Sequence, residues 1–101
     1  MHTLFSVGLD GAPTCGVTMQ KLFRGLVFPP VGIDVGTGSG TCKVGCVEIG
    51  LEEEAPYVHV TLTAIDVGDD ANFDLVKRAL EYCGWQTSGQ MQETIKGLPS
   101  E

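Results

Sequence analysis

The chain has 101 residues, of which 13 are acidic and 6 basic, for a formal net charge of -7, and 43% are hydrophobic. That length suits a single domain with one modest core. Scattered lysines and arginines against twice as many acids cannot build a phosphate-binding groove or hold an anionic bilayer, so neither nucleic acid nor membrane is an expected partner.

Residues 1–8 lack the basic region, apolar run and small-residue cleavage site of a secretory signal. No stretch approaches the ~18 consecutive apolar residues that span a bilayer. A cytoplasmic, reducing setting follows as an expectation, with Cys15, Cys42, Cys46 and Cys83 as thiols.

In chain order, Phe5, Val7 and Leu9 alternate and predict a strand over 3–9, closed by Asp10-Gly11, a hairpin signal. From Thr14 the period changes. Met19, Leu22, Phe23 and Leu26 fall at i, i+3, i+4 and i+7, which predicts an amphipathic helix capped by Thr14 or Thr18 and ended by Pro29-Pro30. The short apolar segment around Ile33 reads as a fifth strand or a buried loop. A strand is expected over 42–51, where Gly45 and Gly50 mark a candidate bulge. Glu52-Glu53-Glu54-Ala55-Pro56 reads as a solvated connection.

Residues 57–67 carry the clearest alternation. Val58, Val60, Leu62 and Ala64 form one face, and Tyr57, His59, Thr61 and Thr63 the other. A helix follows, capped by Asp69 or Asp70, with Phe73, Val76, Leu80 and Cys83 on one stripe, Leu75 and Ala79 widening it, and Gly84 at the stop. Trp85 reads as a core plug. Met91, Glu93 and Ile95 alternate and predict an edge strand, and 97–101 a frayed tail behind a single domain over 1–96.

Strand, helix, strand, strand, helix, strand is the ferredoxin-like order. The expected fold is therefore α+β: a two-layer sandwich of about four or five antiparallel strands with two helices on one face.

Val31-Gly32-Ile33-Asp34-Val35-Gly36-Thr37-Gly38-Ser39 is the sharpest local pattern. It resembles the first phosphate motif of the sugar kinase and actin superfamily. The resemblance implies Asp34 near a metal-bound nucleotide and Gly36, Thr37, Gly38 and Ser39 cradling phosphate with backbone N–H groups. It stops at Ser39, however, and neither a second phosphate motif nor room for a second lobe accompanies it. Ile-Asp-Val-Gly also recurs at 65–68, so an Asp–Gly strand ending is the plainer reading. Neither a Walker loop nor a dinucleotide fingerprint is present.

Cys42 and Cys46 have a spacing zinc sites use, but on one strand their Cα atoms would stand about 13 Å apart, too far to share an ion. No cofactor is expected. His59 has no obvious carboxylate to orient it for catalysis, whereas the row of Tyr57, His59, Thr61 and Thr63 suits a partner-binding sheet face. The expected function is thus a small acidic interaction module without catalytic activity, binding another protein or a second copy of itself. The type resembles accessory proteins of mobile elements. The alternative is a small-molecule or phosphate-ligand binder built on Asp34 and the 36–39 turn.

Overall fold

The computed structural model describes residues 2–13, 16–50 and 57–97. Thr14, Cys15, Glu52, Glu53, Glu54 and the residues after Gly97, on which several sequence readings rest, lie outside that set.

The element order is β1 (His2–Asp10), β2 (Val17–Arg24), β3 (Asp34–Gly36), β4 (Thr41–Gly50), β5 (Tyr57–Leu62), β6 (Ile65–Asp66), α1 (Asp70–Tyr82), β7 (Gln86–Thr87) and α2 (Ser88–Lys96). The strands join in one sheet of seven, in the order β3-β4-β5-β1-β2-β7, with β6 paired to β1. Strand β1 runs parallel to β5 and β6, and the other pairings are antiparallel. The sheet curls into a mixed half-barrel, which overturns the expected antiparallel two-layer sandwich with its ferredoxin-like order.

Two misread segments account for the difference. The predicted helix over 14–26 is instead strand β2, the second arm of a hairpin in which Val7 pairs with Met19 and Leu9 with Val17. Met19 and Phe23 fit a period of 3.6 and a period of two equally well, and pairing with β1 chose the second. The predicted edge strand at 91–96 is helix α2. Thr87 accepts from the Gln90 N–H and the Gln90 side chain accepts from the Thr87 N–H, a capping box that starts the helix.

Several other local signals hold, and two hold only in part. Asp69 is the N-cap of α1, accepting from Asn72 N at 2.7 Å, and Gly84 stops the helix with φ +92°. The ladder between β4 and β5 slips between Val44 and Cys46, which places a bulge at Gly45. Leu75 does not widen the buried stripe of α1, being 63% exposed. The strand expected over 57–67 breaks after Leu62 and resumes as β6, leaving Ala64 exposed.

One core fills the concave side of the sheet. Val7, Leu9, Met19, Val44, Val58, Val60 and Leu62 meet Phe73 and Leu80 of α1, and Trp85 closes one end. Met91 of α2 is buried outside that cluster. Thr94 of α2 bonds the side chain of Gln86, the cross-strand partner of Gln20, so α2 meets the sheet on its polar side. The two helices therefore do not share a face. Among the described residues no helix is long and apolar enough to cross a membrane.

Candidate functional site: the polar row and the open edge of β4

Alternation along β5 sends Val58, Val60 and Leu62 into the core and leaves Tyr57, His59 and Thr61 on the opposite face. Tyr57 and Thr61 are exposed and His59 is half-buried. Thr63 lies beyond the end of β5, where its N–H donates to the Lys43 carbonyl at 2.8 Å and its hydroxyl accepts from Lys43 N–H at 3.2 Å. The ring of Tyr57 lies over Gly50, its cross-strand partner, in space that any Cβ there would need.

His59 is tied inward. Its Nε2 is 2.7 Å from Ser6 Oγ, and Gln20 Nε2 donates to the same hydroxyl at 2.9 Å. The bonds join β5, β1 and β2 across the polar face. Ser6 is buried, and the serine–histidine contact braces three strands. Among the described residues no buried side-chain nitrogen or oxygen lacks a partner.

The bulge at Gly45 decides what β4 offers. Before it, Cys42 and Val44 face the core; after it, Val47 and Ile49 take that side while Cys46 and Glu48 join the polar row opposite Thr61 and His59. Backbone direction follows from the same register. Thr63 N–H points at β4, so by alternation Thr61, His59 and Tyr57 do too, and their partners Cys46, Glu48 and Gly50 point back at β5. The N–H and C=O groups of Val47 and Ile49 are left directed away from the sheet. Strand β3 covers this edge only opposite residues 41–43, with Gly32 and Ile33 bonding Val44. Among the described residues no strand pairs with the outer side of Cys46 to Gly50.

The glycine turn is arranged differently. Asp34 forms an exposed ion pair with Lys43 at 3.0 Å. Thr37 is buried, its N–H donating to the Gly40 carbonyl at 2.9 Å, while Ser39 N–H donates to Thr37 Oγ1 at 3.2 Å. Two of the N–H groups that the phosphate resemblance would aim at an anion are thus engaged within the turn. Gly38, with φ +96°, packs against Cys83 so closely that a Cβ would collide with it. Gly36 and Val35 line a half-open cavity with Phe5, Lys21, Phe23 and Trp85.

Cys42 is buried on the core side of β4, and that burial pushes its thiol pKa up. Cys46 is exposed on the other side, its Sγ 3.8 Å from Glu48 Oε1. Among the described residues no group of three or more His, Cys, Asp or Glu side chains is placed to hold a metal ion.

Sequence reading missed Ser6, Gln20 and Glu48. Ser6 interrupts an apolar strand, which is a visible signal. Gln20 was hidden by the helical assignment of its segment, and Glu48 by the bulge that brings it opposite His59. Comparison with protein-family models, with curated proteins and with solved structures returns no match.

Proposed function

We propose that this protein is a non-enzymatic interaction module that takes up an extended, basic segment of a partner protein along the free edge of β4. The observation that carries the reading is the outward N–H and C=O pairs of Val47 and Ile49 beside an exposed Ile49 side chain. An unpaired strand edge is a template for one more strand, with main-chain hydrogen bonds giving affinity and alternate side chains giving choice.

Charge selects the occupant. Glu48 stands on the polar face in a chain of net charge -7, so lysine or arginine on one side of the incoming strand is favoured. Apolar residues on its other side would lie along Val47 and Ile49. A second copy pairing edge to edge about Glu48 would oppose two like charges, which is unfavourable. Tyr57, His59 and Thr61 extend the polar surface that basic side chains would cross.

Selection from a random peptide display library tests this. Enriched peptides should alternate basic with apolar residues and lose binding to Val47→Pro, which removes an outward N–H and none that β4 gives to β5. Thr61→Arg should weaken the same peptides by charge repulsion. Failure to enrich any peptide, or peptides indifferent to Val47→Pro, would sink the reading. Concentration-dependent dimerisation lost in Val47→Pro would replace the basic partner with a second copy.

A further inference from the structure

We infer that the cavity between β1, β2, β3 and Trp85 is a binding site for a small aromatic carboxylate. It is separate from the β4 edge and independent of what binds there. The core-facing side of β2 carries Val17, Met19, Lys21 and Phe23 in sequence. Val17 and Met19 pack into the core, but the row then turns cationic at Lys21, beside Phe5 on β1. Here the apolar filling stops, and a half-open cavity of about 180 Å³ remains, lined by Phe5, Lys21, Phe23, Val35, Gly36 and Trp85. An apolar cavity of about 150 Å³ holds one benzene ring. Three aromatic walls offer a ring the edge and offset contacts it prefers.

Lys21 supplies the charge. Lys43, Lys77 and Lys96 each pair with a carboxylate, whereas among the described residues none pairs with Lys21. Its ammonium donates to the Cys83 carbonyl at 2.7 Å, which caps the end of α1, a helix whose last turn has no basic residue of its own. An ammonium has three donors, so two remain for an anion at the cavity wall. Both polar neighbours of the ligand are already fixed: Lys21 by Cys83, and Trp85 by its 2.9 Å bond from Nε1 to the Thr37 carbonyl. A site ordered beforehand loses less entropy on binding. The ring would lie among Phe5, Phe23 and Trp85 with its carboxylate on Lys21, a charge-assisted contact.

Trp85 is the sole tryptophan, so its fluorescence reports on the cavity directly. Benzoate should change its emission saturably, benzamide about tenfold more weakly because it lacks the charge, and acetate not at all. In Lys21→Met, benzoate should fall to the level of benzamide while benzamide is unchanged. The comparison of benzoate with benzamide needs no variant, so it stands even if Lys21→Met unfolds. No saturable change with benzoate, or equal affinity for benzoate and benzamide, would overturn the assignment. Undiminished benzoate binding by folded Lys21→Met would overturn it as well.

Discussion

Trp85 Nε1 donates a buried 2.9 Å hydrogen bond to the carbonyl of Thr37. It locks the turn after β3 to the residue just past the stop of α1, so two segments far apart in sequence close one end of the core together. Replacing Trp85 by Phe keeps a ring but strands the Thr37 carbonyl and leaves a gap. Chemical denaturation of Trp85→Phe, followed by circular dichroism, should show a loss of about 2–3 kcal/mol.

The same closure predicts an order among glycine substitutions. Gly36 has open space around its missing Cβ and no left-handed backbone; Gly40 has open space but φ +102°; Gly38 has φ +96° and would collide with Cys83. Gly36→Ala should therefore change stability by less than about 1 kcal/mol, and Gly40→Ala should lose about 1–2 kcal/mol to backbone strain. Gly38→Ala adds an overpacking cost of about 1–3 kcal/mol to the same strain. Thermal melts of the three variants check the ranking, and a Gly38→Ala no worse than Gly40→Ala would contradict the packing.

The three-strand brace makes a prediction about a proton. Gln20 donates to Ser6 Oγ, which leaves the Ser6 hydroxyl free to donate to His59 Nε2, so neutral His59 should carry its proton on Nδ1. Long-range nitrogen–proton NMR correlations distinguish the tautomers. Ser6→Ala takes a partner from both His59 and Gln20 and should cost about 1–3 kcal/mol in a denaturant titration.

Cys42 and Cys46 should separate by reactivity, and Cys42 should make stability depend on pH. Cys46 is exposed and Cys42 buried, so iodoacetamide should label Cys46 in the native protein and Cys42 only as the chain unfolds. The Cys42 thiol is held above its ordinary pKa by burial, so the native state retains that proton more strongly than the unfolded state. Its contribution to stability is complete below the unfolded thiol's pKa and is lost as pH rises through the folded one. Stability measured against pH in the alkaline range should fall less steeply in Cys42→Val than in the parent chain.

Helix α2 rests on its first turn and one buried side chain. Thr87→Ala removes the capping box and should cost about 1 kcal/mol. Met91→Ala should cost about 2–4 kcal/mol, because Met91 is only 2% exposed. Hydrogen exchange should show both losses confined to 88–96, since Met91 lies outside the main core.

Where one residue pattern admits a single period, the sequence by itself determined the element. Val58, Val60 and Leu62 alternate as a half-buried strand does, and Asp69 or Asp70 ahead of Phe73, Leu80 and Gly84 reads as a capped and stopped helix, whose cap the structure places at Asp69. Trp85, which reads as a core plug after that stop, is buried. The hydrophobics of β2 were different, because Met19 and Phe23 serve a helix stripe and a strand face alike. The hairpin with β1 settled them by packing Val17 and Met19 against Leu9 and Val7, and in doing so it set Lys21, still exposed, on the same side of the sheet. The residue types in the polar row were legible, but their connections were not. Ser6 meets His59 across 53 positions, and Glu48 faces His59 only because one extra residue at Gly45 reverses every side chain after it. Long-range pairing and a one-residue bulge leave no periodic trace in the local sequence. The tertiary structure therefore decided which strand edge stays open and which cavity holds a charge.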